Sequence, residues 1–228
     1  MCASPRILLA IDTSTRNVGV ALYDGAQVLV EFAWQSADFH TVELAPTVED
    51  ALRRVKIDPP QIGAFGVALG PGSFTGLRVG LAFAKGMALA HRLPLVGVRT
   101  LDFLAAAQPI QETPLIAVLR AGRGRLAAGW YTAKNQAWQP AQEIEICTLP
   151  ELIEKIDQPV AVCGELSTEE REQLSQARPE AKLASPAFCL RRAGFLAEVA
   201  WRRWKTSQTD DPAALAPIYL HYGEPVPE

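Results

Sequence analysis

The chain opens with short apolar runs and then shifts to apolar residues at helical spacing. Ile7 to Ile11 is apolar and β-prone, and Val18 to Tyr23 is a second such run after the polar turn Thr13 to Asn17. Asp24-Gly25 is a favoured hairpin dipeptide, so Gln27 to Trp34 is predicted as a third strand of an antiparallel meander. Leu44, Val48, Leu52 and Val55 then recur at helical spacing, with Thr41 as a candidate N-cap. Pro46 falls early enough to bend this helix without abolishing it, and Pro59-Pro60 ends the region. A strand Phe65 to Leu69, the turn Gly70-Pro71-Gly72, a helix Thr75 to Ala90, a strand Leu95 to Val98 and a helix Leu101 to Ala107 follow.

The predicted order, βββαβαβα, resembles one lobe of the ribonuclease-H-like fold. Gln108 to Pro114 reads as a linker, and beyond it the order begins again. Leu115 to Leu119, Leu126 to Thr132 and Trp138 to Ile146 are the expected strands. A helix Pro150 to Ile156, a strand Pro159 to Val162, a polar helix Thr168 to Arg178 and a longer helix Phe188 to Lys205 complete the second set. The fold class expected is therefore α/β, with two ribonuclease-H-like lobes, the second degenerate, as in actin, sugar kinases and the Hsp70 ATPase (the ASKHA superfamily). The lobes are placed at residues 1–108 and 109–228.

The helix after the glycine turn is unusual. Between Thr75 and Ala90 only Arg78 and Lys85 are charged, and Gly76, Gly80, Ala84 and Ala88 stand four apart in one side-chain-poor stripe. A glycine inside a helix costs about 1 kcal/mol relative to alanine, so this stripe has to recover stability by close packing. With Leu77, Leu81 and Phe83 assigned to the chain's own sheet, the stripe is expected to face a partner. The expected interface is Gly76, Leu77, Gly80, Phe83, Ala84, Met87 and Ala88, and the simplest way to cover such a seam is a two-fold homodimer.

Composition narrows the function classes. The 228 residues are 49% hydrophobic and 21% charged with a net charge of −3, ordinary for a globular protein and against wholesale nucleic-acid binding. Cys2, Cys147, Cys163 and Cys189 show no close pairing and read as isolated thiols of a reducing compartment. Ile7 to Ile11 is too short for a signal or membrane segment, so a cytoplasmic protein without a membrane partner is expected.

Candidate chemistry is sparse. Asp12, Thr13 and Ser14 occupy the first hairpin turn, where actin-like ATPases hold phosphate, but the glycines that let backbone approach a phosphate are missing. They are read as a vestigial nucleotide turn, and no catalytic or metal-binding residue is assigned. The alternative is a stand-alone actin-like ATPase or phosphotransferase using Asp12 and Ser14 around a magnesium-nucleotide. The three histidines, His40, His91 and His221, form no metal-binding pair. His40 is expected to be partly exposed at a helix entry, and Cys163 to be a buried thiol and not a nucleophile. Arg191, Arg192, Arg202 and Arg203 recur on one face of the last helix and read as either a solvated edge or a contact to RNA or an acidic partner, while Trp201 and Trp204 are expected to pack.

Several stretches resemble the TsaB (YeaZ) family. They are Leu8 to Thr15, the His40-Thr41 pair leading to Leu44-Ala45-Pro46, GPGSFTGLRVG at Gly70 to Gly80, and LPLVGVRTLD at Leu93 to Asp102. The resemblance is dense over Ile7 to Leu104 and thin afterwards. It implies a dimerising, non-catalytic subunit of the bacterial machinery that places threonylcarbamoyl on an adenosine of certain tRNAs. Its implied partners are the catalytic TsaD subunit and the ATPase subunit TsaE, with tRNA touched indirectly and ATP and metal held by the partner. Thr100 and Leu104 stand where the catalytic sister subunit carries its two metal-binding histidines. Arg120 and Arg125 replace two acids of the family's second-lobe turn, and His221 replaces the arginine of its closing Pro-x-Tyr-Leu-Arg.

Overall fold

The computed structural model describes residues 7–37 and 40–220. They form two compact units, one running up to Phe103 and including Arg192–Ile218, the other made of Leu104–Arg191 with Tyr219 and Leu220.

In the first unit, β1 (Ile7–Asp12), β2 (Asn17–Tyr23) and β3 (Val28–Gln35) form the expected meander. They are followed by α1 (His40–Val55), β4 (Ile62–Gly70), α2 (Phe74–His91), β5 (Leu95–Arg99) and the start of α3 (Thr100–Ala106), whose residues after Phe103 are counted with the second unit. The sheet order is β3-β2-β1-β4-β5; β1 runs antiparallel to β2, and both β1–β4 and β4–β5 are parallel. All residues of β1 and β4 are buried, which is why both read as unbroken apolar runs instead of alternating ones. Leu9, Ile11, Phe65 and Val67 meet Leu44 and Val48 of α1 and Leu81 and Ala84 of α2 in one core cluster. Pro46 is accommodated within α1, as expected.

The opposite side of this sheet is covered by α6 (Ala193–Lys205), whose Leu196, Ala197 and Ala200 share a cluster with Leu8, Ala10, Ala64 and Ala68. This corrects the expected lobe boundaries: the last helix belongs to the first unit, and the boundary after β5 falls at Phe103, not at residue 108. The reason is complementary size. A Cβ on Gly66 would stand 2.9 Å from Ala200 Cβ and one on Gly19 3.1 Å from Ala193 Cβ, so small residues on both elements let helix and sheet meet closely.

The second unit holds β6 (Leu115–Arg120), β7 (Leu126–Lys134), β8 (Ala137–Pro140), β9 (Glu145–Cys147), α4 (Leu149–Lys155), β10 (Val160–Gly164), α5 (Thr168–Ala177) and β11 (Ala181–Leu183). Its sheet order, β11-β10-β6-β7-β8, repeats that of the first unit, with β6, β7, β8, β10 and β11 in the places of β1, β2, β3, β4 and β5. Orientations match as well, since β6–β7 is antiparallel and β10–β6 and β10–β11 are parallel. Gly70 and Gly164 end the equivalent strands β4 and β10 with φ of 112° and 117°. The duplication is thus visible in the topology. The strand expected over Trp138 to Ile146 is split into β8 and β9, and β11 lies where the sequence pattern showed no strand. Capping boxes start α4 (Thr148 with Glu151) and α5 (Ser167 with Glu170).

Candidate docking face and the turn beneath it

Ser73 caps α2 by accepting a hydrogen bond from the Gly76 N–H at 3.3 Å, and Arg92 closes the helix in the left-handed region. The row Gly76, Leu77, Gly80, Leu81, Ala84 and Ala88 is buried within the same unit. The expected interface is corrected here: Gly76, Leu77, Gly80, Ala84 and Ala88 are internal, and only Phe83 and Met87 of that set are half exposed. What the glycines approach is the β1–β2 turn. A Cβ on Gly76 would lie 2.2 Å from the Thr13 carbonyl oxygen, and one on Gly80 2.2 Å from Thr13 Oγ1. Thr13 Oγ1 donates to the Gly76 carbonyl at 2.7 Å. The close packing demanded by the stripe is satisfied by the chain's own turn.

The same contacts enclose the turn Asp12 to Ser14. Asp12, Thr13 and Ser14 are each at most 2% exposed. Asp12 Oδ1 accepts from the Ser14 N–H at 2.9 Å and from the Ser14 hydroxyl, and the Ser73 N–H donates to the Ser14 carbonyl at 2.6 Å. A Cβ on Gly72 would lie 2.2 Å from that carbonyl. The glycine turn and the first turn of α2 therefore pack directly on the β1–β2 turn. In this structure the polar groups of Asp12 and Ser14 are bonded to one another and to the entry of α2, and both residues are buried.

The turn also registers α1. His40, expected to be partly exposed, is buried, with Nε2 3.1 Å from the Thr15 carbonyl oxygen. One short turn thus holds the start of α1 through Thr15 and the start of α2 through Thr13. Between the two helices an outward-facing groove of about 400 Å³ remains, lined by Thr41, Leu44 and Ala45 of α1 and by Phe74, Arg78, Ala82 and Phe83 among others of α2. Phe74 is 55% exposed, Val42 66% and Leu89 59%. The Arg78 guanidinium lies 4.2 Å from the Phe74 ring centroid, so the groove's charged residue is stacked on one of its two phenylalanines. An apolar face of this kind has the composition of a protein–protein contact. The outward row Thr75, Arg78, Ala82, Gly86 and Leu89 was legible as helical spacing, but nearly the whole helix is apolar, so the inward and outward sides could not be told apart from pattern.

Other candidates resolve separately. Cys163 and Cys147 are buried, and burial raises both thiols, Cys147 to about 11. The basic edge expected on the last helix is not one surface, because the helix begins only at Ala193 and each arginine has its own partner. Arg191 is buried against Glu165, Arg192 pairs with Glu31, Arg202 with Glu198 at 3.2 Å, and Arg203 with Asp210 at 3.2 Å. Trp201 and Trp204 pack edge to face at 5.0 Å, and Trp201 does so with Tyr23 at 5.5 Å. Arg120 Nη1 donates to Glu170 Oε1 at 2.6 Å, so a departure from the family's acidic turn is answered within the second unit. Thr100 and Leu104 are buried, and among the described residues no three His, Cys, Asp or Glu side chains cluster as metal ligands. His221 and Cys2 lie outside the described residues. No described helix is long and apolar enough to cross a membrane.

Residues 34–189 match the family model described as TsaD: tRNA N6-adenosine threonylcarbamoyltransferase. The tRNA threonylcarbamoyladenosine biosynthesis protein TsaB of Bacillus subtilis is 31% identical over 160 residues, covering 69% of this chain and 70% of that protein. The chain belongs to the TsaB family. Among solved structures, YeaZ from Pseudomonas aeruginosa superposes with a TM-score of 0.76 at 22% identity, over 94% of this chain and 99% of that one. A ROK hexokinase from Thermus thermophilus superposes with a TM-score of 0.51 at 12% identity, over 87% of this chain and 99% of that one. Those likenesses speak for the fold: a TsaB-family chain whose duplicated architecture is shared with a ROK hexokinase.

Proposed function

We propose that this chain is a non-catalytic subunit in the biosynthesis of tRNA threonylcarbamoyladenosine. It docks through the α1–α2 face onto the homologous lobe of the catalytic TsaD-type subunit and pairs with a second copy when alone. ATP and metal chemistry belong to its partners, with a TsaE-type ATPase in the same assembly and tRNA held mainly by the other subunits. The family membership supports the pathway, and the single observation that supports the docking role is the exposed apolar face of α1 and α2. The surface differs from the buried glycine stripe: its contact residues are Val42, Ala45, Phe74, Ala82, Phe83 and Leu89.

Mechanistically, two helices from each chain would form a four-helix contact, burying Phe74 and Leu89 and excluding water from the groove. The β1–β2 turn would serve as a rigid base, because it is bonded to both helices. The test is sedimentation of the purified chain, alone and mixed with a TsaD-type subunit, comparing wild type with Phe74→Glu. Loss of self-association and of the mixed complex in the variant is the expected result. Unchanged association in both would overturn the reading.

A further inference from the structure

Beyond α6 the chain returns across the first unit as a strap, residues 207–218. Ser207 turns it with φ of 59°. The Asp210 N–H donates to the Leu95 carbonyl at 2.8 Å, and the Gly97 N–H donates to Asp210 Oδ2 at 2.8 Å. Arg203 of α6 bonds both Asp210 oxygens, at 3.3 and 3.2 Å, and the Gly97 carbonyl as well. Asp210 therefore closes the open edge of β5. Farther on, the Leu215 carbonyl accepts from Lys85 Nζ of α2 at 3.0 Å, and the Ile218 N–H donates to the Leu69 carbonyl at 2.7 Å. Leu215 and Ile218 pack against the core cluster beneath α2.

Two of these anchors bear on α2. Lys85 ties the middle of the helix directly to the strap. The second acts through Gly70, where a Cβ would stand 2.6 Å from the Ile218 carbonyl oxygen and 3.0 Å from Leu77 Cδ1. Gly70 leads straight into the turn that starts α2, and its φ of 112° suits glycine. The strap thus holds α2 at Lys85 and at its entry, while Phe74, Arg78 and Ala82 line the groove.

We infer that the strap is a positioning device for the docking face. It sets where α2 lies relative to α1, and so the width of the groove, without contributing a residue to the groove lining. Lys85, Leu215 and Ile218 are positioning residues. The inference rests on the docking role proposed above and assigns its geometry to a segment more than a hundred residues away in sequence.

The test uses the full chain with Lys85→Met, which keeps the stem and removes the donor, Lys85→Arg, which restores one, and Ile218→Asp, which disrupts the second anchor. Each is compared with wild type and Phe74→Glu by sedimentation and by amide hydrogen exchange over residues 74–91. Expected for Lys85→Met is association about tenfold weaker, the order expected if loss of one charge-assisted hydrogen bond were expressed in binding. Faster exchange in α2 should accompany it, with recovery in Lys85→Arg and the same direction of change in Ile218→Asp. Unchanged association in Lys85→Met and Ile218→Asp, beside weakened association in Phe74→Glu, overturns the strap inference and leaves the docking role standing. Weakened association without any change in α2 exchange also overturns it. Unchanged association in Phe74→Glu sinks the docking role, and the strap inference with it.

Discussion

Thr13 Oγ1 donates to the carbonyl of Gly76 at 2.7 Å and occupies the position that a side chain at Gly80 would take. A threonine in the turn between two strands thereby fixes how closely the principal helix approaches the sheet. The bond holds the Thr13 rotamer, so the hydroxyl cannot swing aside to admit a methyl group. Gly80→Ala is expected to destabilise by about 1–3 kcal/mol, the usual cost of overpacking, although alanine is the better helix former. Gly86, where an added Cβ would meet nothing within 4 Å, supplies the control, and Gly86→Ala should stabilise by about 1 kcal/mol. Urea denaturation of both variants checks this, and equal signs would refute the packing role assigned to Gly80.

Ala82 lies in the groove lining and is exposed, whereas Ala84, two residues on, is fully buried. Ala82→Arg is therefore expected to abolish self-association while leaving the melting temperature of the monomer nearly unchanged. Ala84→Arg should prevent folding. Light scattering together with thermal denaturation separates the two outcomes.

Arg191 has a side chain only 1% exposed and pairs with Glu165, while the Arg202 side chain is 69% exposed beside Glu198. Removing the buried guanidinium leaves its space unfilled beside a Glu165 side chain that is 18% exposed and still accepts from the Arg120 N–H, so Arg191→Ala should cost about 1–3 kcal/mol. Arg202→Ala should change stability by less than about 0.5 kcal/mol. Neither change is expected to reveal a common polyanion site, and a filter-binding titration with tRNA would check that.

The thiols give a pH prediction with a definite sign. Burial raises Cys147 to about 11 and Cys163 upward from the ordinary value of 9.0. The native state favours the neutral thiols, so their contribution is fully present below pH 9.0. It is then lost as pH climbs through about 11 for Cys147, because the unfolded chain releases those protons first. Stability measured by denaturant titration should therefore decline from pH 9 upward, and less so in Cys147→Ser measured against its own value at pH 8. At pH 8, iodoacetamide should label the half-buried Cys189 before Cys147 or Cys163, as read by peptide mass mapping.

Two elements show how far sequence pattern reached. The small-residue stripe on α2 was visible at once, together with the requirement that something pack tightly against it. Which surface does so was hidden, because Thr13 lies more than sixty residues earlier and nothing local connects the two. The last helix was equally legible as a helix, but its apolar side fits either sheet by pattern alone. Its assignment to the first unit depends on Gly19 and Gly66 meeting Ala193 and Ala200, a match of shapes between segments far apart in the chain. The exposed side of α2 around Phe74 and Ala82 escaped because hydrophobic periodicity marks an inner side only when the outer side is polar.

Local chemistry therefore decided what could be decided locally. The strand and helix order, the Asp24-Gly25 hairpin and the family motif around Gly70 to Gly80 all follow from residue types at short spacing. Tertiary packing alone decided which side of α2 is buried, that the Asp12 to Ser14 turn is closed, and where the final helix and strap lie. Those outcomes depend on the distances and shapes of residues brought together from remote parts of the chain, and short-range periodicity carries no record of them.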